Sequence, residues 1–112
     1  MRFTLDVRSF RKEVIMNQTI INAINNMEVL NFTYKGKSRV VEPHAYGMGS
    51  DGDDLLRAYQ IGGYSSSGRL PKWRLFEVNE IDNLSLTGEK FNGARPNYHR
   101  NDQVMDRIYA QL

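Results

Sequence analysis

The chain has 112 residues, of which 40% are hydrophobic, 11% aromatic and 25% charged, with a formal net charge of +2 and no cysteine. That length makes one domain with its own core; the apolar content excludes a disordered chain, and the missing cysteine excludes a disulfide scaffold, a thiol nucleophile and a Cys-based zinc site. No apolar run approaches the ~20 residues that span a bilayer, and the charged start MRFTLDVRSFRKEV lacks the apolar stretch of a signal peptide, so a soluble, cytoplasmic protein without a membrane partner is expected.

Residues 1–16 read as an N-terminal arm or linker. Phe3, Leu5 and Val7 alternate with polar residues at strand period, whereas Phe10 and Val14 have helical spacing. Asn17 is a good helix cap, and Ile20, Ile21, Ile24 and Met27 fall on one face at the i, i+3, i+4, i+7 spacing, so 17–28 reads as a short amphipathic helix. Leu30, Phe32 and Tyr34 then alternate with Asn31 and Thr33. Lys35-Gly36-Lys37 marks a turn, and Arg39, Val40 and Val41 resume extended structure, which together read as a hairpin. Pro43 lacks an N–H and is expected to end that pairing.

Residues 47–54 are rich in Gly and Asp and read as a loop. Residues 55–61 read as a third strand, with Leu56, Ala58 and Gln60 on one side and Leu55, Arg57, Tyr59 and Ile61 on the other. A second loop covers 62–71, a fourth strand 73–78, and 84–86 begins a fifth. Asn101 can cap a last helix whose stripe is Val104, Met105, Ile108, Tyr109 and Leu112. The divisions are an arm over 1–16, a β-rich domain with its leading helix over 17–94, and a C-terminal helical extension over 95–112. A helix followed by about five short sequential strands predicts a mainly β fold: a small, strongly bent antiparallel sheet or barrel.

Residue types that carry catalysis are sparse. Neither His44 nor His99 has a second ligand at metal spacing; His44, at a strand end, reads as a hydrogen-bonded turn residue and His99 as solvent-facing. Ser65-Ser66-Ser67 lacks the nucleophile-elbow pattern. Asp51, Asp53 and Asp54 imitate a calcium loop, but Leu56 and Gly62 stand where that loop needs glycine and glutamate. No enzyme, cofactor or metal is expected. The positive signal is arginine beside aromatic residues on strands: Arg39 on the second, Arg57 with Tyr59 on the third, Arg74 with Phe76 on the fourth beside Trp73. Guanidinium forks grip phosphate and flat rings stack on bases. The alternative is that the rings are core and the arginines neutralise surface carboxylates.

In order, the chain shows Ile20…Ala23-Ile24…Leu30-x-Phe32-x-Tyr34, Arg39-Val40-Val41-Glu42-Pro43, Leu55-Leu56-Arg57-Ala58-Tyr59, Arg74-Leu75-Phe76-x-Val78-x-x-Ile81 and Phe91. Over residues 18–91 this resembles the WYL domain, a bacterial and phage module. The name-giving triplet stands here as Asp54-Leu55-Leu56, and Glu80 occupies the place of a second arginine. The resemblance implies a five-stranded Sm-like, SH3-like antiparallel barrel behind a helix. It also implies a noncatalytic module that senses a nucleotide or single-stranded nucleic acid, as in transcriptional regulators and phage-defence proteins. The ligand-binding positions it implies are Arg39, Tyr59 and Arg74, with Arg57 as an addition. Residues 1–17 are too few for a winged helix, so a standalone module is expected. The other expectation is a protein–protein or homo-oligomeric assembly module, with the C-terminal stripe packed on a neighbour.

Overall fold

The computed structural model describes residues 7–112. One helix, α1 (Val7–Asn26), precedes six strands: β1 (Glu28–Tyr34), β2 (Lys37–Gly49), β3 (Asp54–Gly63), β4 (Lys72–Glu77), β5 (Ile81–Lys90) and β6 (Met105–Gln111), with a 3-10 turn at Val78–Glu80 between β4 and β5. All pairings are antiparallel. The order across the sheet is β4-β3-β2-β1-β5, with β6 paired to β2.

The long strand β2 organises the sheet. It meets β1 through a two-residue turn at Lys35-Gly36, both at positive φ, the mirror-image turn whose twist suits a hairpin. Pairing with β1 runs from Lys37 to Val41, pairing with β6 from Ala45 to Gly49, and β3 lies along the other edge throughout. Pro43 therefore does not end the strand. It sits where β2 exchanges β1 for β6, beside a bulge between Pro43 and Ala45, so its missing N–H costs the ladder little. Likewise Gly47 and Gly49 belong to β2 rather than to a loop. A Cβ on Gly47 would collide with the carbonyl of Arg107, so glycine is what lets β6 approach.

The core lies between α1 and the inner face of the sheet. Ile20, Ala23 and Ile24 pack with Leu30, Phe32, Val41, Tyr46, Leu56 and Phe76, each large side chain contributing about 1.5–3 kcal/mol by leaving water. Phe76 meets Phe32 and Tyr34 edge-on at 5.0 and 4.9 Å. The expected faces of the third strand are correct: Leu56, Ala58 and Gln60 are buried, while their alternating neighbours are half-buried on the outer face.

Several expectations change. The sheet has six strands and no ladder joins β4 to β5 among the described residues, so it is open and not a closed five-stranded barrel. Residues 7–16 belong to α1, and Asn17 is interior to that helix, where its Oδ1 accepts the Tyr46 hydroxyl at 2.6 Å instead of capping. The strand reading of Phe3 and Leu5 lies outside the described residues. The C-terminal helix is instead strand β6. Register shifts against β2 break its alternation, leaving Met105 and Ala110 buried and Tyr109 turned outward. A bulged edge strand thereby imitates helical spacing.

Candidate ligand-binding site

The register of the sheet decides which charged side chains share a face. Across β3 and β4, Leu56 opposes Phe76, Ala58 opposes Arg74 and Gln60 opposes Lys72. Across β2, Gln60 opposes Val41, and Arg39 opposes Phe32 of β1. Arg39 and Arg74 therefore project from the same inner face. Rings connect them: the Arg39 guanidinium lies 5.7 Å from the Tyr34 ring, Tyr34 touches Phe76, and the Arg74 guanidinium lies 5.8 Å from Phe76.

Arg39 is only 5% exposed. Its Nη1 donates to Gln60 Oε1 at 3.4 Å and to the Tyr64 carbonyl at 3.1 Å, and its Nε has no partner. Burial lowers its pKa, and the positive charge of Arg74 lowers it further. Among the described residues neither arginine forms an ion pair with a carboxylate. Tyr64, at the start of the loop 64–71, covers the group: Lys37 lies 4.8 Å from its ring and Arg39 5.6 Å. Gln60 Nε2 donates to the same Tyr64 carbonyl at 2.7 Å, which fixes the loop over the arginine. Two like charges partly removed from water, with phenol rings around them and no carboxylate counter-charge among the described residues, leave this part of the inner face positively charged.

Tyr59 and Arg57 leave β3 on the opposite, outer face. Tyr59 pairs with Trp73 across the strands, with centroids 5.2 Å apart, and the Arg95 guanidinium covers it at 5.2 Å. Arg57 is tied to Asp102 by bonds of 2.7 and 3.4 Å. Burial opposes the charge on Asp102, but the Arg57 bond, the Val104 N–H and the Arg57 charge outweigh it and hold the carboxyl below its ordinary value. The segment 91–104 runs over this face. Arg95 grips the 3%-exposed Glu42 through two bonds of 2.6 and 2.8 Å, which raise the Arg95 pKa.

His44 pins the segment. Its Nε2 accepts the Arg95 backbone N–H at 3.1 Å, so Nδ1 carries the proton and donates to the Glu42 carbonyl at 2.8 Å. Trp73, Phe91 and Tyr98 surround the ring. His44 is thus a buried, hydrogen-bonded strut in β2. His99 is exposed.

The four arginine and tyrosine positions expected to share one groove thus divide into Arg39 with Arg74 inside and Arg57 with Tyr59 outside. The sequence reading passed over Gln60, Tyr34, Tyr64 and Lys37. Tyr34 had a signal, since it shares parity with Phe32; Tyr64 sits in a loop and had none. Among the described residues no group of three or more His, Asp or Glu side chains is placed to hold a metal ion, and no helix is long and apolar enough to cross a membrane. Comparison of the chain with family models, with curated proteins and with solved structures finds no match.

Proposed function

We propose that the chain is a noncatalytic ligand-binding module of the kind its resemblance to WYL domains implies. Its ligand is the phosphate and base of a nucleotide or single-stranded nucleic acid, held at the inner mouth by Arg39 and Arg74. The observation that carries this reading is the nearly buried Arg39, on the same face as a second guanidinium whose charge it feels and with no carboxylate partner among the described residues. A dianionic phosphate entering between the two would accept from both forks and relieve their repulsion. Tyr34 and Tyr64 supply ring surface for the base. Tyr59 and Arg57 are not proposed as ligands of this mouth, because they face the other way.

The test is binding of a labelled oligothymidylate by fluorescence anisotropy at two salt concentrations. Wild type should bind and weaken steeply as salt rises, and Arg39→Ala/Arg74→Ala should stay folded and lose binding. Unchanged binding by the double variant would remove the assignment.

A second reading, homo-oligomeric assembly, no longer has a C-terminal helix to rest on. It retains one observation: Val7, Phe10 and Val14 of α1 are about half exposed or more. Light scattering of wild type and of Phe10→Glu/Val14→Glu decides it; equal monomer masses end that reading.

A further inference from the structure

We propose that the ligand is a single strand several nucleotides long, which passes from the inner mouth over the free edge of β4 and stacks a base against Trp73 in a cleft on the outer face. This rests on the reading of Arg39 and Arg74 as phosphate ligands.

Among the described residues β4 pairs with β3 alone, so no described strand lies along its other edge. It carries Lys72, Trp73 and Arg74 in succession. Strand alternation sends Arg74 to the inner mouth and Trp73 to the outer face, with the two side chains leaving the same short stretch of backbone in opposite directions. Arg69 precedes them in the exposed loop. A cationic edge thus joins the two faces, and a polyanion rounding it meets positive charge along the way.

On the outer face lies a cavity beside Trp73. It has a volume of about 630 Å³ and is lined by Arg57, Trp73, Tyr98, His99, Arg100 and Asp102, among others. That is within the range of ~300–1,000 Å³ usual for a small-ligand site. Trp73 is half-buried and held rigidly. Its Nε1 donates to the Pro96 carbonyl at 3.1 Å, Tyr98 lies nearly parallel at 6.0 Å, and His44 meets it edge-on at 4.7 Å. A ring already fixed in place loses little freedom on stacking. Asp102 neutralises Arg57, which leaves Arg100 as the cleft's remaining cation beside the ring surface of Trp73 and Tyr98, a wall that suits a base with a phosphate next to it. Phosphate on one side of β4 and base on the other require a ligand longer than a mononucleotide, since the chain between them must round the strand's backbone and the side chains on both faces.

Trp73 is the chain's single tryptophan, so tryptophan emission, excited where tyrosine does not absorb, reports on this cleft alone. The probes are thymidine monophosphate and an oligothymidylate of about eight nucleotides. The oligonucleotide should bind about tenfold or more tightly than the mononucleotide and should quench the tryptophan emission, while the mononucleotide leaves the emission unchanged. Trp73→Leu, with folding checked by circular dichroism, should reduce oligonucleotide affinity by about tenfold and leave the mononucleotide unaffected. Because the emission of wild type is itself a readout, a Trp73 variant that misfolds does not remove the test. Equal affinity for both probes with silent emission would overturn the path over β4 and leave the inner mouth standing. Binding of neither probe at low salt would overturn both.

Discussion

The two faces of the sheet use the same side chain in opposite ways. Outside, Arg95 and Arg57 each hold a carboxylate in a short, two-bond grip, and the partners Glu42 and Asp102 are buried or nearly so. Inside, Arg39 is more deeply buried than either, feels the like charge of Arg74, and has no carboxylate partner among the described residues. A satisfied guanidinium fastens the 91–104 segment to the body. One without a counter-charge keeps an unfavourable buried charge, which the proposed ligand would relieve. The comparison teaches that burial of arginine does not by itself mark a structural role; the presence or absence of the counter-charge does.

Breaking an outer pair should have the largest effect on stability. Arg95→Ala leaves the Glu42 carboxylate buried with its two bonds gone. Removing one partner of a fully buried pair costs ~3–5 kcal/mol, and because the Arg95 side chain is 44% exposed the loss should be nearer ~2 kcal/mol. Urea denaturation measures it, and a midpoint equal to wild type would show that the grip does not fasten the segment. Arg57→Ala should cost less, about 1–2 kcal/mol, since Asp102 retains the Val104 N–H.

The His44 strut gives the outer face a pH dependence. Burial lowers the imidazole's pKa from its ordinary 6.5, outweighing the Glu42 carbonyl and charge that favour protonation. The unfolded chain therefore takes up a proton near pH 6.5 that the folded chain refuses. Stability from this group is complete above that pH and falls as pH drops toward the depressed value, by at most ~1.4 kcal/mol per pH unit. Denaturation midpoints at about pH 7.5 and about pH 5.5 should differ accordingly, and His44→Gln should flatten the curve.

The smallest effect on stability is expected from the most deeply buried arginine. Arg39→Met removes a like-charge repulsion from Arg74 and an unpartnered Nε, at the expense of a long bond to Gln60 and one to the Tyr64 carbonyl. Its melting temperature should match or exceed wild type, within about 1 kcal/mol, while nucleotide binding is lost. A loss of several kcal/mol would place Arg39 with the structural arginines and erase the contrast between the faces.

How far residues alone led here depended on whether a feature was local. The helical face of Ile20 and Ile24, the Lys35-Gly36 turn and the alternation of Leu56, Ala58 and Gln60 are set by near neighbours, and they were readable. Alternation also separates Arg57 and Tyr59 from Gln60 within β3. What it does not give is cross-strand register, and register is what unites Arg39 with Arg74 and turns Tyr59 away from both. The start of α1 stayed open between helix and linker, because only Phe10 and Val14 carry helical spacing there, beside the strand-like alternation of Phe3, Leu5 and Val7. Strand β6 was missed because its bulged register hides the period of two that identifies a strand. The His44, Glu42 and Arg95 fastening joins residues far apart in sequence and leaves no spacing signal.

The handover of β2 from one neighbour to another at Pro43 bears on how the chain assembles. The first half of β2 zips to β1 through a tight hairpin, a contact available almost at once, whereas the second half waits for residues 105–111 to arrive from the far end. Until they do, the backbone amides and carbonyls of residues 45–49 form a bare ladder open to any passing strand. Chains cut before residue 105 should accordingly be sticky, and not merely less stable; the last strand doubles as a built-in cover against misassembly.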